Sequence, residues 1–125
     1  MTEVDDGLAR ARRELAAAEL LAGNGFGPQA VSRAYFAAFY AAEAAIGRLG
    51  ETRSKHSGVV AAFSRLLIHD RGLDEEAGRQ LRSLFERRSQ ADYDLGEVPA
   101  EEAIRAVADA RIVVDAVEMW LTGGV

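Results

Sequence analysis

Cysteine is absent from the 125-residue chain, proline occurs twice, and lysine occurs once, at Lys55. Without cysteine the chain forms no disulfide and has no thiolate for catalysis, for a zinc site or for an iron–sulfur cluster. No apolar run approaches the roughly 18 residues that a membrane-spanning helix needs. The first ten residues, MTEVDDGLAR, lack the basic start and apolar middle of a signal peptide. We therefore expect a soluble, cytoplasmic protein that does not bind membranes, and we assign it no metal and no cofactor.

Charge is unevenly distributed along the chain. The net charge of −5 at pH 7 argues against non-specific binding along a long polyanion, because contacts with phosphates need surplus positive charge. The middle of the chain, residues 23–73, nevertheless has six basic residues against three acidic ones. An anion-attracting face could form there, although a solvated surface without a ligand explains the same charges equally well.

Hydrophobic periodicity and the positions of glycine and proline predict helices and no strand. The predicted helices span about 4–22, 29–49, 54–68, 74–95 and 99–121. The second helix is apolar around nearly its whole circumference, which is typical of a central helix. Ser54 and Asp74 are the expected N-caps of the third and fourth helices. We predict an all-α, five-helix up-and-down bundle that forms one domain over residues 1–125, with a core of about 4–122.

The eight residues RRSQADYD, 87–94, concentrate charge near the end of the fourth helix. At about 100° per residue, Arg88 and Asp92 fall about 20° to either side of Leu81, in the middle of the apolar stripe, whereas Arg87 points well off it. Arg88 and Asp92 are one turn apart and can pair. Pairing offsets only part of the cost of burying two charges. The pair is therefore either a structural salt bridge or part of a polar pocket in which Arg88 meets an anion such as phosphate.

His56 is predicted on the inward face of the third helix, because it precedes Val59 by three residues and Val60 by four. The exposed backbone N–H groups at that helix N-terminus attract anions. If the third and fourth helices pack antiparallel, His56 lies near Arg88 and Tyr93. A lone inward histidine is more often a structural residue than a catalyst, so both interpretations stay open.

Three segments, SRAYFAAFYAAEAAI, SKHSGVVAAF and LFERRSQADYD, with the helix that follows them, resemble a HEPN domain. The short stand-alone prokaryotic HEPN proteins are the most similar, and the resemblance covers about residues 4–122. It implies a bundle of four to five helices, usually dimerised through the face that carries the polar motif. Many such relatives are encoded beside a minimal nucleotidyltransferase and act in toxin–antitoxin or defence modules. Others are metal-independent ribonucleases.

The ribonucleases of this family have an arginine followed after four to six residues by a histidine on the matching helix. Here the arginine is Arg88, and the positions that would hold the histidine are Tyr93, Asp94 and Leu95. RNA cleavage without a metal needs a proton acceptor and a proton donor poised near neutral pH. Tyrosine, with an ordinary pKa of about 10, is a poor base. None of the three positions holds histidine, so His56 is the only imidazole in the candidate cluster.

Three functions are consistent with these residues. The first is a homodimer that partners a nucleotidyltransferase, or that binds a nucleotide or RNA without cleaving it. The resemblance implies that the partner can modify a tyrosine of the motif, and Tyr93 is at that position. The binding residues would be Lys55, His56, Arg88, Asp92 and Tyr93. The second is a metal-independent ribonuclease that uses His56, Arg88 and Tyr93. The third is a structural or interaction bundle whose polar cluster sets the register of the helices.

The polar face of the fifth helix changes side partway along, and the helix ends in the apolar segment VVDAVEMWL. A subunit interface would cover that end. Alternatively, the end packs against the first helix with Trp120 in the core.

Overall fold

The computed structural model describes residues 2–93 and 98–123, with the backbone alone for residues 90–93. Five α-helices follow one another: α1 (Glu3–Ala22), α2 (Gly27–Arg48), α3 (His56–Phe63), α4 (Glu75–Tyr93) and α5 (Ala100–Leu121). A π-helical segment, Ser64–His69, continues α3. The described ranges contain no β-strand, so the predicted all-α five-helix bundle is confirmed. Within the same ranges every helix is too short or too polar to cross a bilayer.

Helix α2 occupies the centre of the bundle and packs against each of the other four helices. Its alanines allow this, because a methyl side chain lets neighbouring backbones approach closely. Ala34, Ala38, Ala41 and Ala45 are fully buried. A polar-tipped side chain on the buried side of such a helix is shielded from solvent and needs a hydrogen-bond partner on a neighbouring helix.

The structure confirms one of the two predicted N-caps and corrects the other. Asp74 accepts a hydrogen bond from the backbone N–H of Glu76 at 3.0 Å, which confirms it as a cap of α4. The prediction that Ser54 caps the third helix is wrong. Lys55 occupies the N-cap position in an extended conformation and makes no capping bond through its side chain. Ser54 is thus one residue too far from the first helical turn to reach its free N–H groups.

The third helix also differs from the prediction in its second half. It was expected to stay α-helical to about residue 68, but it widens into a π-helix at Ser64. The backbone N–H of Asp70 donates to the carbonyl oxygen of Arg65 at 3.0 Å, a bond that spans five residues. Widened turns of this kind occur often at functional positions.

Helix α5 is joined to α1 by ion pairs at its polar edge. Arg12 contacts Asp115 at 2.8 Å and also contacts Glu118. Val113, Val114 and Val117 are fully buried, and Trp120 packs partly buried against the core. Packing inside the bundle, against α2 and α1, therefore accounts for the buried side of the apolar end, whereas a subunit interface stays a prediction.

Candidate functional site

His56 is the first residue of α3, and its ring is held from two directions. The Tyr35 hydroxyl lies 2.9 Å from Nδ1 of His56. The Phe39 ring packs on the imidazole with ring centres 4.1 Å apart and planes 32° apart. Tyr35 is fully buried and His56 is half-buried. One ring nitrogen and one ring face are therefore committed to the protein interior.

The Tyr35 hydroxyl keeps its proton beside the imidazole. Burial raises the pKa of Tyr35 far above its ordinary value, and the positive charge of Arg88 opposes that rise. The phenol can donate to Nδ1 of His56 or accept from it, according to the tautomer of the ring. Where the phenol donates, the imidazole N–H is at Nε2, which is then the ring nitrogen left for a ligand.

Arg88 reaches the same aromatic residues from α4. Its guanidinium carbon lies 5.2 Å from the ring centre of Phe36 and 5.7 Å from that of Tyr35. The ring centre of His56 lies 5.9 Å from that of Phe36 and 5.8 Å from that of Tyr35. The start of α3 and the last turns of α4 thus meet at two rings of α2, as antiparallel packing of the two helices would require.

A second arginine, Arg33, contacts one of the same rings. Arg33 lies over Phe36 with its guanidinium carbon 4.9 Å from the ring centre, and it is held there by Glu14 at 2.8 Å. Arginine binds aromatic faces by cation–π attraction, which is stronger where water is partly excluded. We call His56, Arg88, Tyr35 and Phe36 the aromatic site.

Of the other three predicted site residues, the structure describes the side chain of Lys55 alone. Lys55 is exposed, next to His56 at the start of α3. Asp92 and Tyr93 contribute backbone to the end of α4, but their side chains lie outside the described residues. The Arg88–Asp92 pair therefore stays a prediction.

Helical phase placed Arg88 correctly, and it missed what Arg87 does. Leu81 and Leu84 are fully buried, and Arg88 lies on their side of α4 against the rings of α2. Arg87 points off that stripe, as predicted, but towards α5, where it pairs with Asp109 at 2.8 Å. The two side chains are only 18% and 17% exposed. This pair clamps α4 to α5 beside the site.

Sequence reasoning also missed Tyr35 and its aromatic neighbours. A tyrosine inside an otherwise apolar, alanine-rich helix was the available signal, because a buried hydroxyl needs a hydrogen-bond partner. Among the described residues, no three histidine, aspartate or glutamate side chains are grouped as metal ligands. The chemistry at hand is a guanidinium, an imidazole and aromatic rings, which together suit an anionic, ring-containing ligand.

Comparisons with known proteins match one family over nearly the whole chain. A profile described as the HEPN domain matches residues 4–120. A UPF0332 protein of Thermotoga maritima is 37% identical over 110 residues, which are 87% of this chain and 83% of that protein. A protein of Methanocaldococcus jannaschii named "Putative toxin MJ0605" is 31% identical over 111 residues, which are 89% of this chain and 83% of that protein.

Proposed function

The chain belongs to the HEPN domain family, and from this premise we propose that it is a toxin-type protein that binds a nucleotide or RNA phosphate at the aromatic site. In this proposal it acts as a homodimer in a toxin–antitoxin or defence-type module, with a nucleotidyltransferase as partner. The names of the relatives in Methanocaldococcus jannaschii support the toxin type.

The observation that carries the proposal is the convergence of His56 and Arg88 on the same two rings. They are separated by 32 positions in the sequence and belong to different helices, yet both contact Tyr35 and Phe36. A guanidinium is a strong, bidentate ligand of phosphate. The free N–H groups of the first turn of α3, which begins at His56, add a second attraction for an anion.

A labelled mononucleotide tests the proposal most directly. Fluorescence anisotropy with N-methylanthraniloyl-ADP would compare the wild-type protein with Arg88→Gln, which keeps a polar side chain and removes the charge. We expect the affinity to fall about tenfold or more, because a hydrogen bond to a charged group contributes about 1.5–3 kcal/mol. Arg13→Gln is the matched control, since Arg13 is exposed on α1 and has no ion pair with any described residue. Equal affinity for all three proteins would contradict the proposal.

The proposed assembly has its own measurements. Size-exclusion chromatography with light scattering at micromolar concentration would count the subunits. A monomeric protein would contradict the proposed homodimer. Incubation with the partner nucleotidyltransferase and ATP, followed by mass spectrometry, would detect a nucleotidyl group on the chain. Tyr93 is the proposed acceptor, so Tyr93→Phe should abolish the mass increase, whereas Tyr40→Phe should leave it unchanged.

One observation favours a second candidate, a metal-independent ribonuclease. With Nδ1 of His56 engaged by Tyr35, Nε2 is available for proton transfer close to the cationic Arg88. Cleavage of mixed RNA in the presence of EDTA should then be lost in both His56→Gln and Arg88→Gln. Cleavage that persists unchanged in both variants would identify a contaminating nuclease.

A further inference from the structure

A second basic surface lies on the side of α3 that faces away from His56. Arg65 follows His56 by nine residues, which places it about half a turn round the helix. Two surface cavities, of about 230 Å³ and about 420 Å³, lie along this side and share Ala61 and Arg65. We call the two together the basic groove. It is lined by Arg53, Gly58, Ala61, Ala62, Ser64, Arg65, His69 and Arg82.

The charge of the basic groove has one sign. Its lining contains three arginines and a histidine but no aspartate or glutamate. Two of these side chains have acidic partners just outside the lining, since Arg53 lies 3.0 Å from Glu51 and His69 lies 3.0 Å from Asp70. Arg65 lies in the π-helical segment and Arg82 lies in α4. In contrast to Arg53, neither forms an ion pair with any described residue. Two uncompensated guanidinium groups that line one cavity repel each other and create a local attraction for anions on a chain whose net charge is −5.

The floor of the groove is made of small residues. The helix surface forms a depression between the arginines because the side chains there are short, at Gly58, Ala61, Ala62 and Ser64. A Cβ atom added at Gly58 would lie 3.3 Å from the Cβ of Arg53, so the Arg53 side chain packs directly across that glycine. At the α-helical rise of roughly 1.5 Å per residue, the distance from Gly58 to His69 would be about 16 Å, and the wider π-helical turn from Ser64 shortens it somewhat. The groove is therefore longer than a single phosphate and fits a chain of them.

We propose that the basic groove binds the phosphate backbone of a single-stranded RNA several nucleotides long. The proposal rests on the proposed function in taking nucleic acid as the ligand, but it concerns a different surface. Guanidinium groups match the geometry of phosphate oxygens, and a positively charged groove that follows the backbone is the usual way to hold a single strand. Contacts with phosphate carry no information about the bases, so the groove should bind without preference for base sequence.

Charge reversal in the full-length protein tests the groove. The probe is a fluorescein-labelled 12-nucleotide oligouridylate, followed by anisotropy at several salt concentrations. In Arg65→Glu/Arg82→Glu we expect at least tenfold weaker binding and a shallower salt dependence, by about 0.7 in slope for each lost phosphate contact. The control is Arg13→Glu/Arg105→Glu, which changes the net charge equally at two exposed arginines outside the groove. Equal weakening in both double variants would overturn the proposal.

Two further measurements distinguish RNA binding in the basic groove from ligand binding at the aromatic site and from binding of an acidic protein. The groove variant should bind N-methylanthraniloyl-ADP as the wild type does, so failure of the aromatic site and failure of the groove give different patterns. A 12-residue polyglutamate that displaces the RNA at equal concentration would overturn the assignment in favour of an acidic protein partner. If circular dichroism shows that the charge-reversed protein does not fold, Arg65→Gln/Arg82→Gln is measured instead, and binding equal to that of Arg13→Gln/Arg105→Gln would refute the groove.

Discussion

Replacing Tyr35 by phenylalanine removes one oxygen atom from the interior and leaves the ring packing in place. In the wild type that oxygen is 2.9 Å from Nδ1 of His56, and the tyrosine is fully buried. A buried polar group left without its partner costs about 1–3 kcal/mol. Because His56 is only half-buried, water can reach part of its ring, and we expect the lower end, about 1 kcal/mol. For a domain of this size that corresponds to a fall of about 4 °C in Tm.

A double-mutant cycle isolates the hydrogen bond from the packing of the two rings. Urea unfolding of the wild type, Tyr35→Phe, His56→Ala and the double variant should give a coupling of about 1 kcal/mol. Tyr40→Phe is the control, because the Tyr40 hydroxyl makes no hydrogen bond with the described residues. A coupling below about 0.3 kcal/mol would refute the claim that Tyr35 orients the imidazole, since that is the usual scatter for independent sites.

The same tyrosine predicts how stability depends on alkaline pH. Burial raises the pKa of Tyr35 in the folded protein above its unfolded value of about 10. The stabilisation by the neutral phenol is therefore fully present below about pH 10 and is lost as the pH rises towards the folded pKa. Above pH 10 the free energy of unfolding should fall more steeply for the wild type than for Tyr35→Phe, by up to about 1.4 kcal/mol per pH unit. Parallel curves between pH 8 and 11 would contradict this assignment.

Two stability predictions concern the frame around the site, and both are read by chemical denaturation. Asp109→Ala should destabilise the protein by about 2 kcal/mol, because it leaves the largely buried charge of Arg87 without its carboxylate. The double variant Arg87→Met/Asp109→Leu should recover most of that loss. A double variant no more stable than Asp109→Ala would refute this. Gly27→Ala should cost about 2 kcal/mol, because the added Cβ would meet the carbonyl oxygen of Val98 at 2.6 Å. The control Gly47→Ala meets nothing within 4 Å and should stabilise α2 by about 0.5–1 kcal/mol, so a loss at both glycines would disprove the steric cause.

The parts of this molecule that the sequence predicted are those set by local periodicity. The phase of α4 follows from about 100° per residue, so the burial of Leu81 and Leu84 and the inward direction of Arg88 follow from the order of the residues alone. The cap at Asp74 is local in the same way.

What the sequence could not predict depends on neighbours that are distant along the chain. Nothing in the segment SRLLIH, 64–69, distinguishes a π-helix from an α-helix, because no glycine or proline interrupts it. Asp109 is a partner for Arg87 only because α5 lies beside α4. The Tyr35–His56 hydrogen bond likewise requires that α3 begin against the middle of α2.

The position of Arg88 links the energetics of the fold to its proposed role. A guanidinium on an apolar helix face loses hydration, and the π-faces of Phe36 and Tyr35 return part of that loss. The neighbouring Arg87 is held by the carboxylate of Asp109 instead. The two arginines thus fix α4 on two sides, Arg88 against the rings of α2 and Arg87 against α5. In the proposed function, the same rings that hold the Arg88 guanidinium also contact His56, so packing of the bundle brings together the two groups proposed to meet an anionic ligand.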